Sequence, residues 1–402
     1  MSFKRYLSYA RALTGIINGN RAFGGPIRAC LSLTNRCNIR CNHCLLYSPF
    51  IEKPNYFQVR RSKLLDVELP EDKDLKRIQK IDADKKQTHA IINALIKMGT
   101  GSFEFTGGEP FLHENALEFM GRARDAGCTG MLNSNGTLLD PEMIDELIKI
   151  GFDELRITTM AGTREMYILT HPGAKAGSFD SLKNNLLYLA DRKAALGVMK
   201  PKLNLAFIII SQNSEDIFDF TEFAALVKAD RVLFRPVNDF DDPGLQKVVP
   251  SSEQAALARG QLIEAKTYLD SQGIAHNIDL LLRVFGQQLD TRRLYRVIAC
   301  YYGWLWVLID SDGAVYPCCR CYESLRNTHT KNFSEIWDGK AYRQFRNEAK
   351  KINRRKSPVE GYNCNRCSHF DGNLRVFRIL HPIKGRSSKL EIMCPEVLEQ
   401  DN

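Results

Sequence analysis

The chain has 402 residues and a formal net charge of +9, with 44% hydrophobic and 26% charged residues. These values are typical of a large globular protein, and they exclude a disordered or fibrous chain. No apolar run approaches the roughly 20 residues of a membrane-spanning helix, and the N-terminus lacks a secretory signal. We therefore expect a cytoplasmic protein without a transmembrane segment. The positive charge suits an acidic or phosphorylated partner, and nothing indicates nucleic acid.

The hydrophobic periodicity predicts an N-terminal helix and then a regular alternation of strands and helices. Residues 3–17 have the apolar spacing of an amphipathic helix that packs on the main domain. The expected strands are 27–34, 102–106, 129–135, 154–160, 203–210 and 231–237. Repeated βα units predict a parallel sheet, so the expected fold class is α/β, a partial (β/α)6 TIM-like barrel.

The alternation of strands and helices covers only part of the chain, so the chain divides into several regions. The expected regions are the N-terminal helix (1–26), the barrel (27–245), a helical linker (246–295), a cysteine-rich extension (296–372) and a tail (373–402). A charged insert at 51–80 interrupts the barrel and is expected to be a loop or lid. In the extension, two apolar runs flank Asp312 and Gly313, which predicts a β-hairpin.

Most of the twelve cysteines are clustered. In a chain without an export signal thiols stay reduced, so clustered cysteines indicate metal. The segment CNIRCNHC places Cys37, Cys41 and Cys44 directly after the first strand. Three thiolates on one loop can hold three irons of a [4Fe–4S] cluster and leave the fourth iron open. For this segment alone, zinc with His43 as a further ligand remains an alternative.

A second motif, TGGEP, follows the second predicted strand. Gly107 and Gly108 allow the backbone to approach a ligand closely, and Glu109 offers a negative charge to an ammonium group. Alone, the motif is a weak signal because glycine turns are common. Here it lies between a strand and a helix, at the end of the barrel where such folds place reactive groups.

These two motifs together resemble the signature of the radical S-adenosylmethionine (SAM) superfamily. The resemblance implies that the three cysteines bind a [4Fe–4S] cluster and that Gly107, Gly108 and Glu109 bind the methionine end of SAM. The family places further polar residues near SAM, and the matching positions here are Ser134, Asn135, Thr158 and Asn213. It also implies a 5′-deoxyadenosyl radical that abstracts hydrogen from the substrate, with electrons from a flavodoxin- or ferredoxin-type donor.

A second cysteine set consists of Cys300, Cys318, Cys364 and Cys367. Four thiolates can fully ligate a second [4Fe–4S] cluster, and structural zinc is the alternative. The segment resembles the SPASM and twitch extensions of radical SAM enzymes, which bind auxiliary clusters. Because no cysteine follows Cys367 closely, we expect the shorter twitch form, with one auxiliary cluster and two [4Fe–4S] clusters in all.

The remaining cysteines have other expected roles. Cys30 and Cys128 lie in or beside predicted strands, where a free cysteine packs as a small apolar residue. Cys319, Cys321 and Cys394 leave open a further cluster, which the sequence does not decide.

A fully ligated auxiliary cluster has no open iron, so its expected role is electron transfer. The leading functional prediction is therefore an oxidoreductase that acts on a polar small molecule such as a sugar, an aminocyclitol or a nucleotide-linked metabolite. The alternative is a peptide-modifying enzyme of the epimerase, crosslinking or sulfatase-maturase type. Few residues precede the first strand, and TTMAG (158–162) lacks the carboxylate of maturases, which favours the small molecule. A cluster-binding regulatory protein is a non-enzymatic alternative.

Three residues are candidates for contact with the substrate. The segment 161–180 is expected to overhang the barrel mouth, where Tyr167 and His171 would contact substrate or transfer a proton. Arg235 ends the sixth strand and would bind an anionic substrate or form an internal salt bridge.

Overall fold

The centre of the molecule is a curved, open parallel sheet. The computed structural model describes residues 3–51, 80–237, 243–284, 294–321, 323–354, 364, 367 and 369–382. Its strands are β1 (Arg28–Ser32), β2 (Ser102–Thr106), β3 (Thr129–Ser134), β4 (Glu154–Thr158), β5 (Lys202–Ile209), β6 (Arg231–Pro236), β7 (Ala275–His276), β8 (Trp306–Ile309), β9 (Ala314–Tyr316) and β10 (Arg326–Asn327). Strands β1 to β6 pair in parallel in chain order. This order confirms the predicted partial barrel.

Helices connect the strands and cover the outside of the sheet. They are α1 (Phe3–Asn18), α2 (Lys85–Lys97), α3 (Ala116–Asp125), α4 (Pro141–Lys149), α5 (Arg164–Thr170), α6 (Ser178–Leu196), α7 (Ile217–Leu226), α8 (Ser252–Ser271), α9 (Ile278–Val284), α10 (Tyr302–Leu305), α11 (Phe333–Trp337), α12 (Lys340–Lys350) and α13 (Phe370–Leu380). Capping explains where α4 begins, because Asp140 accepts a hydrogen bond from the Met143 N–H and Pro141 occupies the first turn.

The two faces of the sheet differ in chemistry because side chains alternate along each strand. One face packs on the helices through fully buried residues such as Phe103, Leu155 and Phe234, which belong to the main hydrophobic core. The other face lines the barrel interior and carries polar residues. We call these the lumen residues: Glu104, Asn133, Arg156 and Arg235.

The sheet continues beyond the barrel strands at both edges. The predicted linker contributes α8 and the short β7, which pairs in parallel with β6. At the other edge β8 pairs in parallel with β1, and β9 and β10 follow in antiparallel order. The predicted hairpin is present, with its turn at Asp310 to Gly313, where Gly313 has φ +78°. It completes the barrel sheet, so the linker and the extension share one sheet with the barrel.

The N-terminal helix α1 packs on the cysteine-rich extension. Ile16 belongs to a buried cluster with Tyr301 and Trp304, and the Trp304 Nε1–H donates to the Arg21 carbonyl at 2.8 Å. Gly15 permits this contact, because a Cβ atom there would lie 2.7 Å from the Trp304 ring. The buried face of α1 consists of Ala12, Gly15 and Ile16. The predicted apolar face was wrong, because two of its members, Tyr6 and Ile17, are 63% and 68% exposed.

Two predicted regions are only partly described. The insert predicted at 51–80 lies outside the described residues except at its ends, and the predicted tail is described only as far as residue 382. Its described part is the helix α13, whose Leu374 and Phe377 are buried in the cluster around Trp304. Within the described ranges, no helix has the length and apolar character to span a membrane.

Candidate active site

The cysteine loop follows β1 and is attached to helix α5. It carries three partly exposed thiols, those of Cys37, Cys41 and Cys44. Asn42 lies between these cysteines. Its backbone N–H donates to the Thr170 carbonyl at 3.0 Å and its Nδ2 donates to the Leu169 carbonyl at 2.9 Å. Both carbonyls are at the C-terminus of α5, where helix carbonyls lack intrahelical partners. Asn42 therefore holds the loop on α5, a role that the sequence did not reveal.

The GGE motif packs on the backbone that leads into the cysteine loop. The N–H groups of Gly108 and Glu109 donate to the carbonyls of Thr34 and Arg36, both at 2.7 Å. A Cβ atom on Gly107 would lie 2.3 Å from the Thr34 oxygen, and one on Gly108 would lie 2.0 Å from the Arg36 oxygen. Glycine is required at both positions by this close approach. The glycines approach the protein's own backbone, which the sequence interpretation did not foresee, and their contact with SAM stays a prediction.

Glu109 is fully buried and receives the hydrogen bonds that join the motifs. Its carboxylate accepts from the Ser134 hydroxyl at 2.9 and 3.0 Å, and from the N–H groups of Asn135 at 2.8 Å and Phe111 at 3.2 Å. Burial raises the pKa of Glu109 to about 7, although these hydrogen bonds favour the ionised form. Ser134 and Asn135 are thus brought to Glu109, and contact of all three with SAM stays a prediction.

Hydrogen-bond donors also reach the sulfurs of the cysteine loop. The Asn135 Nδ2 lies 3.8 Å from the Cys37 Sγ, and the Leu46 N–H lies 3.4 Å from the Cys44 Sγ. Burial, and then the neighbouring Cys44 and Cys37 thiols, raise the pKa of Cys41 well above its ordinary value. A bound metal cation removes this cost of ionisation, and N–H donors stabilise cluster sulfur. The donor set therefore fits an iron–sulfur cluster.

Among the residues that the structure describes, several buried polar atoms around the loop lack a hydrogen-bond partner. They are Asn42 Oδ1, His43 Nδ1, Tyr167 Oη and His171 Nε2. Buried polar atoms are almost always satisfied in native proteins, so such a concentration indicates a place for a bound group. This is a second observation in favour of a cofactor at the loop.

The geometry gives no support to a single zinc ion at the loop. Within the described part of the chain, ligand atoms converge as a single ion would require only at Cys318, Cys319 and His369. Burial lowers the pKa of His43 to about 4, so its imidazole is in the neutral form that a metal requires, and the distances alone argue against zinc.

Two other residues predicted to contact SAM, Thr158 and Asn213, differ in burial. Thr158 ends β4, half-buried and on the same face as Arg156. Asn213 is fully buried, and its Nδ2 donates to the carbonyls of Met160 and Ile208, each at 3.0 Å. The amide of Asn213 is thus engaged in holding the ends of β4 and β5. For both residues, contact with SAM stays a prediction.

Tyr167 and His171 are buried beside the cysteine loop. Both side chains are only 1% exposed, and their rings stack with centroids 4.2 Å apart. The His171 Nδ1 lies 3.0 Å from the Tyr167 carbonyl, and burial lowers the pKa of His171 to about 3. Helix α5 thus turns both rings into the protein, and their contact with substrate stays a prediction. A buried neutral imidazole is also poorly suited to donate a proton.

Arg235 lies among the lumen residues. Glu104 accepts a hydrogen bond from the Asn133 Nδ2 at 2.7 Å, and Arg156 pairs with Glu154 at 3.2 Å. By contrast, among the described residues Arg235 forms no hydrogen bond and no ion pair. Burial of the guanidinium against the barrel, and then the positive charge of Arg156, lower the pKa of Arg235. Part of its side chain nevertheless reaches solvent. The internal salt bridge considered from the sequence is not formed with any residue that the structure describes.

The second cysteine set converges between the extension and α13. Burial, and then the Cys300 and Cys367 thiols, raise the pKa of Cys364, which shows that these sulfurs are neighbours. The Cys367 Sγ accepts from the His369 N–H at 3.3 Å, and the Cys318 Sγ accepts from the Arg320 N–H at 3.4 Å. Sulfurs that are close together and receive N–H donors fit a fully ligated cluster.

Cys319 and His369 lie beside this second set. The Cys319 Sγ is 3.2 Å from the His369 Nε2, and the His369 ring stacks on Tyr302 with centroids 4.0 Å apart. Sequence reasoning missed His369, although its position two residues after Cys367 was a usable signal.

The other cysteines are placed as follows. Cys321 is buried and its thiol donates to the Glu323 carbonyl at 2.8 Å, while Cys394 is outside the described residues. Cys30 and Cys128 are buried in hydrophobic clusters, as predicted.

This arrangement agrees with known protein families. The family model of the radical SAM superfamily matches residues 31–224, and the model of the SPASM iron–sulfur cluster-binding domain matches residues 300–368. The chain therefore belongs to the radical SAM superfamily of enzymes. Within that superfamily it carries a C-terminal SPASM domain. Its cofactors are SAM, a [4Fe–4S] cluster that binds SAM, and auxiliary iron–sulfur in the SPASM domain.

Individual relatives are distant. The PqqA peptide cyclase of Granulibacter bethesdensis is 22% identical over 331 residues, which cover 80% of this chain and 76% of that protein. The Fe-coproporphyrin III synthase of Methanosarcina barkeri is 28% identical, but the match covers 48% of this chain and only 40% of that protein. The structure of Streptococcus suis SuiB bound to S-adenosylmethionine has a TM-score of 0.58 at 15% identity, covering 86% of this chain and 74% of SuiB. SuiB bound to its precursor peptide SuiA has a TM-score of 0.57 at 14% identity, covering 85% and 71%.

Proposed function

We propose that this enzyme modifies a peptide, forming a crosslink or another change at an unactivated C–H bond. The single observation that carries the proposal is the similarity to a peptide cyclase over 80% of the chain. The likeness to SuiB, whose precursor peptide complex is known, supports it through the fold. The sequence alone favoured a polar small molecule, and the relatives favour its alternative.

The residues of the chain have separable tasks in this proposal. When bound, the cluster and SAM supply a 5′-deoxyadenosyl radical for hydrogen-atom abstraction. Glu109 faces the SAM ammonium as its anion, and Ser134 and Asn135 hold Glu109 in place. The open, polar lumen receives the substrate. A flavodoxin or ferredoxin, which are acidic proteins, supplies electrons to this basic chain of net charge +9.

Arg235 anchors an acidic group of the peptide. Its guanidinium faces the lumen without an ion-pair partner among the described residues, whereas the neighbouring Arg156 is already paired with Glu154. A carboxylate is the natural partner for such a group. The substrate segment is therefore expected to contain Asp, Glu or a free C-terminus near the modified residue.

The function is tested with anaerobically reconstituted protein, SAM and dithionite. Addition of short peptides encoded by open reading frames beside the gene should increase 5′-deoxyadenosine release for one of them, and mass spectrometry should detect that peptide in modified form. The Cys37→Ala variant is the control, because it removes a ligand of the SAM cluster and should abolish release. If sugars, aminocyclitols or nucleotide-linked metabolites stimulate release and peptides do not, the small-molecule alternative holds and the proposal fails.

Arg235→Gln tests the anchor separately. It should raise the KM for the peptide roughly tenfold, the value of a lost charged hydrogen bond, and leave peptide-free SAM cleavage unchanged. Arg231→Gln is the matched control, because Arg231 is on the same strand and face but at the opposite end of β6. Equal KM values for the wild type and Arg235→Gln would contradict the anchor without contradicting the peptide substrate.

A further inference from the structure

Two buried polar side chains adjoin the auxiliary cysteine set. Tyr295 precedes Cys300 in the chain, and Asn373 lies in the first turn of α13. Tyr295 is 4% exposed and Asn373 is not exposed at all. Polar groups are buried at this depth only when hydrogen bonds compensate for the loss of water, so their partners indicate what they do.

These side chains form a directed series of hydrogen bonds. The Asn373 Nδ2 donates to the Tyr295 Oη at 2.8 Å, and the Tyr295 hydroxyl donates to the Cys367 Sγ at 3.0 Å. The Asn373 Nδ2 also lies 3.8 Å from the Cys300 Sγ. Successive donors polarise one another, so the bond that reaches the Cys367 sulfur is strengthened by the amide behind it.

The orientation of this series is fixed by the backbone. The Asn373 Oδ1 accepts from the Tyr301 N–H at 2.6 Å, so the amide nitrogen must point towards Tyr295. Apolar residues enclose the pair, among them Leu294, Ile298, Trp304, Leu374 and Phe377. In such surroundings a hydrogen bond is electrostatically stronger than in water.

We propose that Asn373 and Tyr295 form a hydrogen-bond relay that raises the reduction potential of the auxiliary cluster. Reduction adds a negative charge that spreads onto the ligand sulfurs, and a donor at the Cys367 sulfur stabilises the reduced form more than the oxidised form. Both residues are positioning residues that act through Cys367 and Cys300. The inference depends on the auxiliary cluster and is independent of which substrate is modified.

The test is a redox titration of the anaerobic holoenzyme, followed by electron paramagnetic resonance. Tyr295→Phe removes only the hydroxyl, and it should shift the auxiliary cluster to a lower potential while the SAM cluster of the same sample stays unchanged. Asn373→Leu should shift it in the same direction. Tyr188→Phe is the matched control, because it removes a tyrosine hydroxyl on α6 that lies 3.2 Å from the Asp145 carboxylate on α4, away from both cysteine sets.

A second measurement distinguishes the hydroxyl proton from the backbone N–H donors of His369 and Arg320, which also exchange in D2O. Electron–nuclear double resonance of the reduced auxiliary cluster should detect one more exchangeable proton close to a ligand sulfur in the wild type than in Tyr295→Phe. The relay is overturned if the two spectra are the same. It is also overturned if Tyr295→Phe retains full iron content and the auxiliary potential does not move.

Discussion

At the scale of single residues, Glu109 shows how burial and hydrogen bonding compete. Burial disfavours its charge, and the donors from Ser134, Asn135 and Phe111 favour it. Burial prevails, because the pKa of Glu109 rises from its ordinary 4.5 to about 7. The thiols of Cys37 and Cys41 and the hydroxyl of Tyr167 also face this carboxyl, and a negative charge on any of them would raise its pKa further.

This pKa predicts that SAM binding depends on pH. Below pH 7 Glu109 is mostly protonated and cannot serve as an anion for the SAM ammonium, whereas above pH 7 it is ionised. Binding should therefore be about tenfold weaker at pH 6 than at pH 8. Equilibrium binding to the cluster-loaded protein measures this dependence. Glu109→Gln should bind weakly at both values, and a variant that kept the wild-type slope would contradict the assignment.

Arg346 illustrates a buried charge that serves stability. Its side chain is fully buried, donates to the carbonyls of Gly303 and Trp337 at 2.8 Å each, and lies over the Trp337 and Tyr342 rings. Arg346→Lys should lower the free energy of unfolding by about 2 to 4 kcal/mol, because lysine cannot reach both carbonyls from a stacked position. Denaturant unfolding measures the loss.

The control for this prediction is Arg343→Lys on the same helix. Arg343 pairs with Asp338 at the surface, so the change should cost less than about 1 kcal/mol. Equal losses for the two variants would contradict the role of burial.

The sequence revealed those site residues whose type and spacing form a motif. Cys37, Cys41 and Glu109 were found in this way, and the structure brings their loops together. It did not reveal Asn42, Tyr295 or Asn373, because their partners are distant in the chain and an asparagine or tyrosine has many roles. The burial of Tyr167 was missed because an amphipathic helix of seven residues does not indicate which of its faces turns inward.

At the scale of elements, the approach of the GGE turn to the chain after β1 controls the cysteine loop. The backbones are close enough to exclude a Cβ atom at Gly108, which would lie 2.0 Å from the Arg36 oxygen. The loop and the turn therefore depend on each other for their conformations, and the loop cannot be understood from its own sequence.

Gly108→Ala tests this dependence. The added methyl group should push the turn away from Arg36 and displace Cys37, because overpacking of a close contact costs about 1 to 3 kcal/mol and shifts the backbone. The iron bound at the SAM cluster should therefore fall. Gly101→Ala is the control, because a Cβ atom there would meet no atom within 4 Å. Iron and sulfide analysis of both reconstituted variants measures the effect. A wild-type iron content in Gly108→Ala would contradict the dependence of the cysteine loop on the GGE turn.

The elements themselves were largely predictable, whereas two pairings were not. Hydrophobic patterns predicted the strands β1 to β6. Their order in the sheet was also predictable, because each strand pairs with its neighbour in sequence. The pairing of β8 with β1 joins residues such as Trp306 and Arg28, and no local pattern indicates so distant a partner. The short β7 was missed because two residues carry no periodicity.

At the scale of the whole molecule, the barrel and the SPASM region share one sheet and one core. Val307, Ile309 and Val315 of the extension belong to the same buried cluster as Leu31 and Phe103 of the barrel. We therefore expect the described parts of both regions to unfold together.

Ile309→Ala tests the shared core. Truncation of this buried residue should cost about 2 to 4 kcal/mol and lower a single thermal transition seen by both far-ultraviolet circular dichroism and cluster absorbance. Ile263→Ala, at a position that is 53% exposed on α8, should cost less than about 0.5 kcal/mol. Two separate transitions, with only one of them shifted, would show that the regions unfold independently.

The pairing of β1 with β8 also determines how far apart the two cysteine sites lie. The chain after β1 carries the SAM-cluster thiols, and β8 leads through its hairpin to Cys318 of the auxiliary set. A register of backbone hydrogen bonds, from Arg28 with Trp306 to Leu31 with Ile309, connects the two strands. The separation of the two cysteine sites is therefore set by backbone pairing inside the sheet, and it does not depend on the loops that carry the thiols alone.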